Sequence, residues 1–392
     1  MRDYGEETVT IWDAEEGCEH EWISEIKKWH GDRGDGNHKE IYDDTFQTQG
    51  SQHAFCQKCG AWRGQLGLEP SLDLYLRHLL QVTAELKRVL KPSGVMFWNH
   101  GDSYGGSGGS GGDYNEGGLR EGQPRVGKSG IGIIPKCLAM QNYRLIQKMV
   151  DEQGWILRNI IPWVKPNHMP SSVKDRFTNG YEPIFMLTKN KKYWFDLDAV
   201  REPHVAPLHN PGNKNRVALT HHFDEPNRIC GTEAGKNPGD VWTIPTQPFP
   251  DAHFAVFPEA IPERAIKCSC PAEICTECGK ARVRITERIG ELVLQYGVAS
   301  KEVQMQNRTY RGIKPSRIYE NRGWTTCSCG KEFRPGIVLD PFLGSGTTMK
   351  KARERGMSCI GIDISQKYIE MSKKEVGWNE GLFGIEFHEI KA

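Results

Sequence analysis

The residues best suited to chemistry lie near the C-terminus, where Ile337-Val338-Leu339-Asp340-Pro341-Phe342-Leu343-Gly344-Ser345-Gly346-Thr347-Thr348 precedes Cys359-Ile360-Gly361-Ile362-Asp363. An apolar β-branched run ends in an acid, two glycines turn the chain, and Thr347 to Arg355 reads as a helix stopped by Gly356. A second strand ends in Asp363. Gly344 and Gly346 allow backbone to approach a ligand, and Asp363 stands where a carboxylate accepts two ribose hydroxyls. The pattern predicts a site for an adenosine-bearing cofactor. An ordinary strand-to-helix turn is the plainer reading of a two-glycine loop, and the acid at each strand end argues against it. A dinucleotide fingerprint would place a third glycine where Met349 stands, which disfavours a nicotinamide oxidoreductase.

Cysteine spacing points to a second kind of chemistry. Cys275-x-x-Cys278-Gly279 and Cys327-x-Cys329-Gly330 bracket an insertion just ahead of the glycine loop. Paired knuckles predict a tetrahedral structural zinc held by four thiolates, with Cys268 and Cys270 near enough to compete as ligands. Between the knuckles, basic side chains such as Arg282, Arg284, Arg308, Arg311 and Arg317 outnumber Glu287, Glu291, Glu302 and Glu320. That excess suits phosphate contacts, with a solvated face as the plainer alternative. Cys56-x-x-Cys59-Gly60 is another knuckle, and Cys18-x-His20 is its plausible partner, although His30, His38 and His53 are alternatives. Neither set offers the open coordination position and general base that catalysis needs, so both read as staples for irregular segments.

These groups need a scaffold to position them. Leu72, Tyr75, Leu76, Leu79, Val82, Leu86, Val89 and Leu90 recur at helical spacing, with Ser71 as cap and Lys91-Pro92-Ser93-Gly94 as stop. Val95 to Asn99 reads as a buried strand running into Gly101-Asp102-Ser103-Tyr104 and a glycine-serine stretch, most simply a mobile loop. A helix over about 138–152, a strand from Trp155 to Val164, a strand over Ile184 to Leu187 and a helix from Glu259 to Lys267 follow. Helix alternating with strand predicts an α/β fold with a mostly parallel sheet and helices on both faces. The expected division is an N-terminal segment with a possible knuckle (1–70), a helix-strand half (71–200), a polar insertion (201–236), a connecting segment (237–274), the basic knuckled insertion (275–330) and the glycine-loop half (331–392).

Composition sets the bounds. With 392 residues the chain can bury a sizeable core. A net charge of +1 excludes a global basic field, so nucleic-acid contacts must come from local patches. Mean hydropathy is negative. No apolar run approaches the ~18 residues of a membrane span, and Met1-Arg2-Asp3 opens no signal-peptide core. A cytoplasmic location is the expectation, and twelve cysteines in a reducing compartment suit metal rather than disulfides.

Several segments together resemble the site-specific DNA methyltransferases of the N4-cytosine/N6-adenine type. They are Leu74-Tyr75-Leu76 through Arg88 to Gly94, Gly101-Asp102-Ser103-Tyr104, Ile161 to Pro170, Asp175-Arg176-Phe177, Tyr181-Glu182-Pro183-Ile184-Phe185, Asn237 to Trp242, His253 to Pro258, and Asp340-Pro341-Phe342-Leu343-Gly344-Ser345-Gly346. The resemblance spans nearly the whole chain, in the beta-type, circularly permuted order that puts the catalytic half first. It implies a Rossmann-like fold that binds S-adenosylmethionine (SAM), here with zinc-ribbon-like insertions. Asp340, Phe342, Gly344, Ser345, Gly346 and Thr347 would line the donor's amino-acid moiety, and Asp363 would take its ribose. His253 and Phe254 would pack over the methionine end. Trp163, Lys165 and Asn167 would lie near the target base, although Trp163 also reads as core and Lys165-Pro166-Asn167 as a turn.

The family's catalytic signature, a polar residue followed by Pro-Pro and an aromatic, has no counterpart, because none of the 22 prolines adjoins another. In similar proteins a segment like Met1-Arg2-Asp3-Tyr4-Gly5 follows that signature directly, so the chain is expected to begin a few residues late, with Tyr4 as a possible stacking residue. Double-stranded DNA is the implied partner, read through the insertion around Asn215-Arg216 to Arg228 and the basic knuckled insertion, with a companion restriction endonuclease as a further possibility. The competing expectation is a DNA-binding relic of the fold that transfers no methyl group.

Overall fold

The computed structural model describes residues 8–23, 54–105, 133–202, 236–247, 256–292 and 316–377. Tyr4, His253, Phe254, the histidines at 30, 38 and 53, and the 215–228 segment lie outside them.

Among the described residues, the first elements are four short strands, β1 (Thr10–Trp12), β2 (Trp22–Ile23), β3 (Ala54–Cys56) and β4 (Trp62–Gly64), in an antiparallel sheet of order β1-β4-β3-β2. Helix α1 (Leu72–Val89) follows, and the Ser71 hydroxyl accepts the Leu74 N–H at 3.2 Å as its cap. Leu72, Leu76 and Leu79 form its buried stripe. The ribbon is fastened to α1 through His78, whose buried ring lies between Trp12 and Trp62 at centroid distances of 4.7 and 5.3 Å. Its Nδ1 pairs with buried Glu69 at 2.9 Å.

Next come β5 (Val95–Asn99), α2 (Gln141–Asp151), β6 (Ile156–Val164), β7 (Tyr181–Thr188) and β8 (Trp242–Thr243). Helix α2 begins later than its periodicity predicts, because Leu138 bridges to Tyr104 and Met140 adopts a left-handed φ of 53° at the cap. The strands form a sheet of order β5-β7-β6-β8. Here the expectation of a mostly parallel sheet is corrected. β7 lies between β5 and β6 and runs antiparallel to both, while β6 and β8 are parallel. The reason lies in the 165–180 link, which contains no helix and is closed by a hydrogen bond from Lys165 N–H to Gly180 O at 2.8 Å. A chain without a crossover helix turns back beside the strand it left. β5 and β6 are joined through α2 and keep a common direction.

Alternation along the strands splits the core by face. Trp98, Phe185 and Leu187 pack against α1 and α2 with Leu145, Met149 and Trp155. Ile161, Trp163, Ile184 and Met186 pack on the other face with Trp242, Ile244 and Ile261. Ile261 belongs to α3 (Ala260–Ser269), so helices do cover both faces.

The later described residues include β9 (Ile274–Cys275), β10 (Arg284–Leu292), β11 (Ser316–Trp324), β12 (Phe333–Arg334), β13 (Ile337–Asp340), α4 (Thr347–Glu354), β14 (Ser358–Gly361) and α5 (Gln366–Glu375). β10 and β11 form a two-stranded antiparallel ribbon, β9 pairs with β12, and β13 pairs with β14 in parallel. Among the described residues no helix is long and apolar enough to cross a membrane.

Candidate functional site

Strand β13 delivers Asp340 to its C-terminal end, and the chain turns through Gly344 (φ 53°) and Gly346 (φ 88°) into α4. Asp340 Oδ1 accepts the Phe342 N–H at 3.1 Å. Burial pushes its carboxyl above the usual range, against the pull of the Thr348 hydroxyl and the Phe342 N–H. Asp363, two residues beyond β14, reaches back: its Oδ2 accepts the Gly344 N–H at 2.8 Å and its Oδ1 the Ser365 N–H at 2.9 Å. Ser345 and Thr347 are buried under the turn, their hydroxyls 3.2 Å apart. The loop thus brings Asp340, Gly344, Ser345, Gly346, Thr347 and Asp363 together.

One of the glycines has a different reason from the one its motif suggests. A Cβ on Gly346 would stand 2.8 Å from Ser372 Cβ and 3.0 Å from Ser372 Cα in α5. Close passage of α5, as well as the left-handed turn, requires glycine there.

The two halves meet edge to face. The Phe342 ring, 47% exposed, sits T-shaped against Trp98 of β5 at 6.0 Å between centroids. That contact brings the C-terminal ends of β5 and β13 together, and ligands of open α/β sheets bind at such ends. α3 ties in from the opposite face: Glu259, at its start, pairs with Lys350 at 2.8 Å and Lys351 at 3.2 Å of α4. The Lys350 ammonium holds the Glu259 carboxyl below its usual range.

Beyond β5, His100 binds the Tyr75 hydroxyl through Nε2 at 3.0 Å, while its buried Nδ1 has no protein partner. Burial pushes its imidazole down to about 4, so it is neutral at physiological pH. Asp102 accepts the N–H groups of Met140 at 3.0 Å and Gln141 at 3.2 Å, capping α2 with an acid at the positive end of its dipole. Sequence reading passed over His100; the available signal was a polar residue directly after a strand, at the end where open α/β sheets bind ligands.

In the segment after β6 the three candidate side chains are engaged with protein partners. Trp163 is buried, its indole N–H donating to Ile244 O at 2.8 Å, so the ring belongs to the core. Lys165 lies 4.2 Å over the Trp163 ring and is paired with Glu182. Asn167 exchanges hydrogen bonds with the Thr246 backbone at 2.7 and 3.2 Å. Trp163, Lys165 and Asn167 therefore hold the start of the 165–180 link.

The knuckles assemble into two clusters. Cys18, His20, Cys56 and Cys59 form one, Cys275, Cys278, Cys327 and Cys329 the other, with ligand atoms within 4.8 Å of one another in each. Cys268 and Cys270 stand apart, as buried or half-buried thiols. Both clusters repeat one backbone device. Cys56 N–H donates to Ala61 O and Gly60 N–H to Cys56 O; Cys275 N–H donates to Lys280 O and Gly279 N–H to Cys275 O. Gly60 and Gly279 take left-handed φ values of 76° and 67° to do so. The Cys278 N–H, pointing at the Cys275 sulfur, leads the groups that pull that thiol down to about 7. Four ligand atoms gathered this closely match the donor set of a tetrahedral metal site.

The family model described as DNA methylase matches residues 37–275 and 330–374. The interval it skips coincides with the Cys275–Cys329 insertion. The Type II methyltransferase M.SfiI of Streptomyces fimbriatus is 39% identical over 363 residues, covering 78% of this chain and 80% of that protein. The Type II methyltransferase M.SmaI of Serratia marcescens is 29% identical over 321 residues, 80% of this chain and 77% of its own. Among solved structures, the cytosine-N4-specific PvuII DNA methyltransferase aligns over 78% of this chain and 71% of that one, with a TM-score of 0.43 and 15% identity.

Proposed function

The chain belongs to the N6/N4 DNA methylase family, and on that premise we infer that it transfers a methyl group from SAM to the exocyclic amine of adenine or cytosine in DNA. Family membership and two Type II methyltransferase relatives matched over most of their length support the activity. The observation that carries the cofactor site is the clamp between Asp363 and Gly344 at 2.8 Å. It leaves each Asp363 oxygen a free lone pair, because each accepts one N–H and a carboxylate has about four acceptor positions. These free acceptor positions fit a ribose with two vicinal hydroxyls.

SAM supplies an electrophilic methyl on a sulfonium. The protein's part is to orient it. Asp363 takes the ribose, while the turn at 344–347 and Asp340 hold the amino-acid end, with Phe342 as an apolar wall shared with Trp98. The acceptor amine is a poor nucleophile because its lone pair is delocalised into the ring, so orientation and hydrogen-bond acceptance at the amine are what accelerate transfer.

We assign structural zinc to both clusters. Four thiolates, or three thiolates and an imidazole, satisfy a closed tetrahedral site. Duplex DNA is the substrate, and the relatives' Type II names support a companion restriction endonuclease. The site of action is the compartment that holds the DNA, the cytoplasm for bacterial relatives.

The test is incubation of the purified chain with plasmid DNA and methyl-labelled SAM, followed by digestion to nucleosides. Label in N4-methylcytosine or N6-methyladenine is the expected result. Absence of label in both would refute the activity.

A further inference from the structure

We propose that the 165–180 link is the wedge that enters duplex DNA where the target base leaves the stack, with Phe177 as the inserting side chain and Met169 beside it. This rests on the reading of the chain as a DNA methyltransferase. Phe177 is 97% exposed and Met169 84% exposed. Lone exposed apolar residues are ordinary, but these share one link with half-exposed Val173, and a neighbouring segment adds Ile134 at 71% exposure.

The link is held firmly for a segment that leaves such groups in water. Lys165 N–H to Gly180 O closes its base, and Asn167 is bonded twice to Thr246. The Arg176 guanidinium lies 4.0 Å over the Tyr104 ring, whose hydroxyl donates to Asn179 at 3.3 Å. A pinned backbone that presents apolar side chains is pre-organised for a partner.

Position and charge favour DNA as that partner. The link leaves the C-terminal end of β6, the same end at which Trp98 of β5 meets Phe342 of the glycine loop. Its single acid, Asp175, is paired with Lys136 at 2.7 Å, which leaves Lys174 and Arg176 as the net charge presented. An enzyme acting on a base amine must unstack that base, and inserted apolar side chains fill the space it leaves.

The experiment compares wild type with Phe177→Ala, Phe177→Trp and Phe177→Ala/Met169→Ala. Measured are methyl transfer to plasmid DNA, retention of labelled duplex fragments, SAM affinity by calorimetry and sedimentation velocity. We expect Phe177→Ala to lower kcat/KM on duplex DNA roughly ten-fold and the double variant to weaken retention roughly ten-fold, as loss of one stacked aromatic does. Phe177→Trp should restore most of both, and SAM affinity should not move. Duplex retention unchanged in the double variant would overturn the wedge. So would conversion of a wild-type dimer to a monomer by Phe177→Ala, which would make the surface a contact between copies. If wild type transfers no methyl to any DNA, the activity reading fails and the retention arm still decides the wedge.

Discussion

Asp363 holds Gly344: the carboxylate at the end of one parallel strand accepts a backbone N–H from the loop that follows the other, at 2.8 Å. The same oxygens that are free to meet a ribose therefore also shape the turn beside it. With Asp363 on the ribose as proposed, cofactor affinity and loop geometry would be coupled through one side chain.

Asp363→Ala should therefore do two things. It removes a charged acceptor for ribose, and hydrogen bonds to charged groups are worth about 1.5–3 kcal/mol, so SAM affinity measured by calorimetry should fall at least about ten-fold. It also strands the Gly344 and Ser365 N–H groups, which should lower the melting temperature. Asp363→Asn keeps one acceptor and should recover more of the stability than of the affinity. Unchanged SAM binding in both variants would sink the assignment.

Gly346→Ala tests the other half of the turn. A Cβ there meets Ser372 at 2.8 Å, and the φ of 88° is strained for any L side chain. Strained backbone positions cost about 1–3 kcal/mol, and a loss of that order should appear in urea denaturation. Ser372→Gly in the same chain should return part of it, since Ser372 Cα still lies 3.0 Å from the added atom. If the single variant is as stable as wild type, the close passage of α5 is not what the glycine serves.

Several of these features are plain in the residues themselves. Ser71 and the leucine stripe marked α1 to within a residue, and Gly356 marked the end of α4, because caps, periodicity and breakers act locally. The antiparallel run of β7 was not legible: its buried run Ile184 to Leu187 looks the same in either direction, and the cause lies in a helix-free link sixteen residues long, 165–180. Trp163 illustrates a similar limit. The resemblance sets Trp163 in a segment near the target base while its type also reads as core, and the burial of its ring comes from a bond to Ile244, distant in sequence. The need for Gly346 likewise depends on α5, which the loop motif does not contain.

Zinc content gives a count. Two clusters should yield about two equivalents per chain in a chromogenic release assay, with Cys59→Ser and Cys278→Ser each retaining about one. Their effects should diverge. The interval between Cys275 and Cys329 lies outside the family match, so Cys278→Ser should leave SAM affinity intact. Cys59 holds the ribbon whose Trp62 stacks on His78 of α1, so Cys59→Ser should lower thermal stability more. Wild-type protein released without zinc from a zinc-supplemented preparation would argue against both sites.

His100 makes stability depend on acidity. Its imidazole, ordinarily near 6.5, is pushed by burial to about 4 in the fold. The unfolded chain binds this proton first as pH falls, so the residue's contribution is intact above about pH 6.5, declines from there to about pH 4, and is then lost. One proton of difference corresponds to a slope of at most about 1.4 kcal/mol per pH unit. His100→Gln removes the titrating group and keeps a polar partner for the Tyr75 hydroxyl, 3.0 Å away in wild type. Urea denaturation compared at about pH 7 and about pH 5 should show wild type losing more stability than His100→Gln across that interval. Equal losses would mean that the imidazole protonates in place, with its unpartnered Nδ1 reached by water.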